Sequence, residues 1–101
     1  MAEVVDIQGL ESTPHASVFE ADRPQVVRLS LSAGEVIAPH SHPGTDVVLY
    51  VVEGRLRIAL DDEVCEADAG EAALVSGERR ISPTARTDAT ALIVFVPTDD
   101  A

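Results

Sequence analysis

Two of the three histidines in the chain, His40 and His42, stand one residue apart in the segment GEVIAPHSHPGTDVVLYVVEG. In an extended strand, side chains two positions apart face the same way, so both imidazoles can point at one metal ion or ligand. Asp46 follows a proline–glycine pair typical of a type II turn. Two histidines and one carboxylate are the ligand set of non-haem iron oxygenases, and they also suit zinc or manganese. The alternative is a pair of surface histidines beside a turn, with Asp46 accepting backbone hydrogen bonds there.

Short strands must position this pair. Residues 25–33 and 55–60 alternate between apolar and polar side chains, which predicts half-buried strands. Residues 47–53 are continuously apolar until Glu53, which predicts a strand covered on both faces. Further strands are predicted over residues 63–67, 71–75 and 90–96, with weaker candidates over 3–7 and 16–21. No window of helical length has a clean 3.6-residue period, so the pattern predicts an all-β barrel or sandwich.

Composition limits the class of partner. The chain has 101 residues, about one domain, and 46% of them are hydrophobic, enough for one core. Its net charge is -11, and every basic residue is an arginine. Binding to nucleic acid or to an anionic membrane surface through a basic patch is therefore excluded as an interpretation. Such self-repulsion is screened in concentrated salt, which leads to the hypothesis of a halophilic host; the alternative is an acidic mesophile protein.

The predicted location and the interpretation of the cysteine depend on features that the sequence lacks. No apolar run is long enough to span a bilayer, and the acidic N-terminus lacks the layout of a signal peptide. A cytoplasmic location is therefore predicted. Cys65 is the single cysteine, so no intrachain disulfide can form. Its acidic neighbours disfavour a thiolate, and it is interpreted as a small strand residue.

The spacing around the histidines resembles a known motif. Gly34, five residues, His40, Ser41, His42, a turn, an acid, an apolar strand and Gly54 are similar to the first motif of the cupin superfamily, G-x5-H-x-H-x3or4-E-x6-G. The segment ADAGEAALV resembles the opening of the second motif, G-x5-P-x-G-x2-H-x3-N, with Gly70 as its first glycine. The resemblance covers residues 25–96. It implies a single small antiparallel β-barrel, a jelly-roll-like double-stranded β-helix, with N-terminal strands within residues 3–21 and a frayed tail over 98–101.

The chain departs from both motifs. Seven residues rather than six separate Asp46 from Gly54, so either Asp46 serves in a shifted register or Val47 stands at the glutamate position and the carboxylate is lost. No histidine follows His42. If Ser76 replaces the motif proline, Ile81 stands at the second-motif histidine position, and if Gly77 is the motif glycine, Arg80 stands there. His15 either approaches from an N-terminal strand or is an exposed loop residue.

Three functions remain open at this stage. The first is a metal-dependent oxygenase, isomerase or decarboxylase, with one divalent ion (Fe, Mn, Zn or Ni) held by His40, His42 and Asp46. The second is a metal-free binding or sensor protein with an anion beside Arg80, and Tyr50 lending its phenol to the pocket or simply packing in the core. The third is a barrel with a decayed site. The first two interpretations predict a small-molecule partner. A homodimer is also predicted because pairing covers exposed strand edges, with the interface at the N-terminal strands.

Overall fold

The computed structural model describes residues 2–20 and 25–98. Within these ranges, eight antiparallel strands form two sheets, a five-stranded sheet in the order β1-β2-β8-β3-β6 and a three-stranded sheet in the order β5-β4-β7. The strands are β1 His15–Ser17, β2 Gln25–Leu31, β3 Thr45–Glu53, β4 Arg55–Leu60, β5 Glu63–Asp68, β6 Ala72–Ser76, β7 Ile81–Ala85 and β8 Ala89–Pro97. The predicted all-β barrel of the jelly-roll type is confirmed.

The core lies between the two sheets, where the alternating strands turn their apolar sides inward. In β4, Leu56 and Ile58 are fully buried while Arg57 between them is exposed. The same alternation buries Leu29 and Leu31 in β2. Burying one aliphatic side chain contributes roughly 1.5–3 kcal/mol. These inward side chains therefore set the register of each strand, because a slip of one residue would turn all of them to solvent.

Strand β3 differs from the prediction for it. Val47, Leu49 and Val51 are buried, but Tyr50 between them is 41% exposed. The strand was expected to be covered on both faces, and that expectation is wrong. Among the described residues, the outward side chains of β3 are exposed or only partly buried, so the apolar run here comprises an inner set in the core and an outer set near solvent. Continuous apolarity indicates coverage on both faces only where something packs on both.

Gly54 carries the chain from one sheet to the other. It separates β3 from β4, and its φ is +84°, in the left-handed region that glycine adopts without strain. A Cβ atom at this position would lie 2.1 Å from the backbone oxygen of Asp88. Both the conformation and the close approach therefore require glycine at this corner.

The N-terminal segment has less strand than the sequence suggested. Residues 3–7 do not form a strand; the segment instead enters a short 3-10 helix, Ile7–Gly9, whose first turn is capped by the Asp6 carboxylate accepting a hydrogen bond from the Gln8 amide. The strand expected over 16–21 is present only as β1, which begins one residue earlier, at His15. Ala21, the last residue of that prediction, lies outside the described residues.

We expect the midpoint of thermal unfolding to rise by several degrees when KCl is increased from 0.1 M to 2 M. The ion pairs of the described residues, Arg55–Asp68, Arg79–Asp61, Arg79–Glu63 and Arg86–Glu66, all involve partly exposed side chains. Such exposed pairs contribute little to stability, so self-repulsion of the acidic excess dominates and salt relieves it. Calorimetry checks the shift. In a variant with Glu3, Glu11 and Asp62 changed to the amides, the same increase in KCl should raise the midpoint by less. An equal rise would contradict the explanation.

Candidate functional site

A cavity of about 250 Å³ lies inside the barrel and opens beside the histidines. Strands of both sheets and the segment between β2 and β3 contribute to its wall. Its lining residues are His15, Gln25, Val27, Ile37, His40, His42, Val47, Leu49, Ile81, Pro83, Ile93 and Phe95. The wall is mostly aliphatic, and the polar side chains are three imidazoles and one amide.

Backbone hydrogen bonds fasten the histidine segment to the barrel. The amide of His40 donates to the carbonyl of Ile81 at 3.0 Å, and the amide of Ile81 donates back to His40 at 2.8 Å. The amide of His42 donates to the carbonyl of Gly77 at 2.6 Å. The Ser82 hydroxyl donates to the carbonyl of Ile37 at 2.7 Å. The two imidazoles are therefore held on β7 and the turn before it rather than on a free loop.

His42 is the more enclosed of the pair. It is half-buried, and its ring lies 4.7 Å from the ring of Phe95, centroid to centroid, at an angle of 57°. Burial lowers the pKa of His42 below 6.5, and the neighbouring His40 and His15 lower it further. At neutral pH this imidazole is uncharged, so one ring nitrogen can donate a hydrogen bond and the other can accept one.

We expect the protein to lose stability as the pH falls below about 6.5, the ordinary pKa of histidine. A pKa that is lower in the folded than in the unfolded state means that the unfolded chain binds the proton first. Stability is therefore fully present above pH 6.5 and is lost as the pH falls through the folded-state pKa of His42. Thermal midpoints between pH 8 and pH 5 check this. The loss should shrink in His42→Gln, and an unchanged pH profile in that variant would contradict the assignment.

The structure separates Asp46 from the histidine pair. Val47 and Leu49 of β3 line the cavity, and successive strand residues face opposite sides. Asp46 therefore faces outward, between Ser76 on β6 and Val96 on β8. The shifted register considered for Asp46 is not the one that forms, and Val47 stands at the inward position of the motif glutamate.

Ile81 and Arg80 are the two residues considered for the histidine position of the second motif, and the structure places them differently. Ile81 is buried, lines the cavity and is directly paired with His40. Arg80 faces a separate shallow pocket with Asp61, whose carboxylate accepts a hydrogen bond from the Arg80 amide at 3.2 Å. Tyr50 lies on the outer face of β3, away from the cavity lining. Neither of the two residues predicted to bind ligand is thus brought to the histidines.

The fold brings to the cavity two polar residues that were not among the predicted site residues. His15 reaches it from β1 and Gln25 from the start of β2. His15 was interpreted either as a loop residue or as a residue of an approaching strand, and the structure shows the strand. No local pattern could have decided this, because a single three-residue strand pairs with β2 across the intervening segment.

Among the described residues, the donors beside the histidine pair do not make up a transition-metal site. Within residues 2–20 and 25–98, no three histidine, cysteine or carboxylate side chains come close enough to share an ion. The ring centroids of His40 and His42 are 6.3 Å apart. Two imidazoles bound to one tetrahedral ion would have centroids about 5 Å apart. Val47 and Ile81 fill with aliphatic carbon the two places where further donors would complete the set.

The comparison with known families supports the fold and the motif. A cupin domain model matches residues 27–97, which is more than half of the chain. The chain is a cupin. Members of this family often bind a divalent metal ion, and cupin domains generally bind small molecules. None of the curated proteins matches the chain in sequence.

Solved structures of similar shape include several cupin-fold proteins. KdgF from Halomonas sp. is 24% identical, with a TM-score of 0.73 over 85% of this chain and 81% of that one. The protein TT1209 from Thermus thermophilus is 24% identical, with a TM-score of 0.81 over 95% and 98%. A predicted oxalate decarboxylase from Thermotoga maritima is 17% identical, with a TM-score of 0.79 over 94% and 99%. At these identities the likeness supports the fold alone.

Among the described residues there is no helix with the length and apolar character needed to cross a membrane.

Proposed function

We propose that this cupin binds a small, uncharged and mostly apolar molecule in the barrel cavity, without a resident metal ion. One observation carries the proposal: no described residue of the cavity wall is Asp, Glu, Lys or Arg, in a chain with 18 acidic and 7 basic residues. A charged ligand would lose its hydration there and find no permanently charged side chain to pair with, which is unfavourable.

The polar groups of the cavity define what the ligand must offer. Neutral His42 can donate or accept a hydrogen bond, and Gln25 can do both. A hydroxyl or carbonyl group on an apolar ring would satisfy such partners and leave the ring against Val47, Ile81 and Ile93. The anion considered beside Arg80 is not part of this proposal, because Arg80 faces another pocket.

The size of the cavity limits the ligand to about one ring. An engineered apolar cavity of about 150 Å³ is large enough for benzene. The cavity here measures about 250 Å³, which allows a single ring with one or two small substituents. Pockets for drug-sized molecules begin at about 300 Å³, so larger ligands are not expected.

A titration with phenol, followed by the isoleucine methyl signals, tests the proposal. Ile37, Ile81 and Ile93 line the cavity, whereas Ile58 is in the core and Ile7 is in the N-terminal 3-10 helix. We expect phenol to shift the three cavity signals and to leave the other two in place. Toluene, which lacks the hydroxyl, should bind more weakly, and benzoate, which carries a charge, more weakly still.

The same titration separates this proposal from the metal hypothesis. Protein treated with a chelator should bind phenol as well as untreated protein does. If binding requires added Zn²⁺, Mn²⁺, Fe²⁺ or Ni²⁺, the metal-dependent interpretation of His40 and His42 is supported instead. Equal shifts at all five isoleucines, or tighter binding of benzoate, would contradict the proposed ligand class.

We also propose that the protein is a cytoplasmic homodimer. β1, where the interface is predicted, is an edge strand of the five-stranded sheet and has one side unpaired by any strand of the described residues. Light scattering at several protein concentrations checks it, and a monomer mass at 100 µM would contradict it.

A further inference from the structure

The N-terminal segment is part of the cavity although it precedes the residues that the family model matches. The family match begins at residue 27, whereas His15 belongs to β1. In β1, His15 is opposite Leu29, whose side chain is buried inside the barrel, so both face inward. Through this pairing the edge strand brings a third imidazole to the cavity.

Arg28 is the residue that fastens this segment to the barrel. It lies in the middle of β2 and is only 2% exposed. Its guanidinium donates hydrogen bonds to the backbone carbonyls of Ile7, Leu10 at 3.1 Å and Ser12 at 2.8 Å. These three carbonyls lie within six residues of one another, so a single side chain gathers the whole segment that leads into β1.

The environment of Arg28 shows why this contact is strong. No carboxylate among the described residues forms an ion pair with it, and its Nε is buried without a hydrogen-bond partner. A buried cation is unfavourable unless hydrogen bonds compensate it, and those bonds are stronger than neutral ones. The compensation comes from the carbonyls of the segment, so Arg28 and the segment depend on each other.

The segment continues directly into the strand that carries His15. The Pro14 carbonyl accepts a hydrogen bond from the Ser30 amide at 2.8 Å, and Ala16 is paired with Arg28 itself. Arg28 therefore acts on the outer face of the sheet, while His15 faces the cavity on the inner side. The structure assigns His15 as a ligand-contacting residue that selects for a hydrogen-bonding group, and Arg28 as the residue that positions it. This assignment rests on the proposed function of the cavity.

Phenol binding and amide exchange together test the two roles. The Ser30 amide reports the attachment of the segment, because its partner is the Pro14 carbonyl. In Arg28→Met we expect Ser30 to exchange at least about tenfold faster, and phenol to bind about fivefold more weakly. In His15→Ala the loss of phenol binding should be similar while Ser30 exchange stays unchanged. Arg57→Met, at an exposed position of β4, is the matched control and should change neither.

The double variant decides whether Arg28 acts through His15. If it does, the double variant His15→Ala with Arg28→Met binds phenol no more weakly than either single variant, because both substitutions remove the same contact between His15 and phenol. If the losses of phenol affinity from the two single variants add in the double variant, the positioning role of Arg28 is overturned. Toluene affinity should be insensitive to both substitutions, and an equal loss for toluene would overturn the hydrogen-bonding role of His15.

Arg28→Lys keeps the buried charge and serves if Arg28→Met does not fold. A single ammonium cannot reach three carbonyls at once as the guanidinium fork does, so faster Ser30 exchange is expected here too. Unchanged exchange in both variants would overturn the attachment. If the wild-type protein fails to bind phenol, the proposed function and the contact role of His15 fail together, while Ser30 exchange still decides the role of Arg28.

Discussion

Replacing Val47 with glutamate and Ile81 with histidine should give the barrel a divalent-metal site. Both side chains line the cavity beside His40 and His42, and Ile81 is hydrogen-bonded to His40 through both backbone groups. Directly paired strand residues have Cβ atoms about 4.5–5.5 Å apart, so a histidine at 81 would stand next to the His40 imidazole. Together with His40 and His42, the two substituted side chains then offer three imidazoles and one carboxylate, the donors that the cupin motifs contain.

The expected gain is large because a complete donor set replaces two aliphatic side chains. We expect Zn²⁺ or Ni²⁺ affinity to rise on the order of a thousandfold, about 4 kcal/mol, over the wild-type protein. Without metal the double variant should unfold at a lower temperature, because it buries a carboxylate with no partner. Added metal should restore the midpoint, since an ion that binds only the folded state stabilises it. Calorimetric titration and thermal scans measure both effects.

Val48→Glu is the matched control for that experiment. Val48 is adjacent in the same strand and faces outward, opposite Leu74 on β6. A glutamate there adds the same charge without approaching the histidines. The double variant should also bind phenol at least about tenfold more weakly, since a carboxylate now occupies the apolar wall. Metal affinity no higher than that of Val48→Glu would show that Val47 and Ile81 are not at the ligand positions.

Gly77→Ala should destabilise the protein by about 2–4 kcal/mol, because backbone atoms occupy the space that a Cβ would need. That Cβ would lie 2.2 Å from the carbonyl oxygen of His42 and 2.4 Å from that of Thr45. Neither contact is with a flexible side chain, so the turn itself must move. The move would break the hydrogen bonds that join Gly77 to His42 and Thr45, and it would displace the His42 imidazole.

Gly44→Ala tests whether the close approach is the cause. Gly44 belongs to the same turn region and has a φ of +75°, but a Cβ there would meet nothing within 4 Å. Gly44→Ala should lower the free energy of unfolding only by the strain of placing alanine in the left-handed region, about 1–2 kcal/mol. For a domain of this size 1 kcal/mol corresponds to about 4–8 °C in the midpoint. Calorimetry should therefore show a much larger drop for Gly77→Ala, and the cavity isoleucine signals should shift only in that variant. Equal midpoints would contradict the explanation.

The fold of this cupin could be predicted well from local patterns. Two-residue alternation placed β2 and β4 to within two residues of their observed ends. These signals are local because each strand must turn its own apolar side chains inward. The expectation for residues 3–7 was wrong because an Asp6 cap and the carbonyl contacts of Arg28 favour a short 3-10 helix there.

The candidate site was predicted only in part. His40 and His42 could be placed together because they lie in one strand-like segment and face the same way. Asp46, Tyr50 and Arg80 could not be placed by spacing alone, and none of them lines the cavity. Each is one residue away from a position that does, namely Val47, Leu49 and Ile81. In a strand a difference of one residue is the difference between the inside and the outside of the barrel.

The sequence by itself therefore determined the all-β class, the cupin motif and the histidine pair, because these depend on neighbours in the chain. Only the tertiary structure decided which residues share the cavity. It brought His15 to the histidine pair through β1, and it set Val47 and Ile81 where further donors would stand. The physical reason is that registers between distant strands depend on the lengths of the turns and on the packing of the whole core, which no single segment specifies.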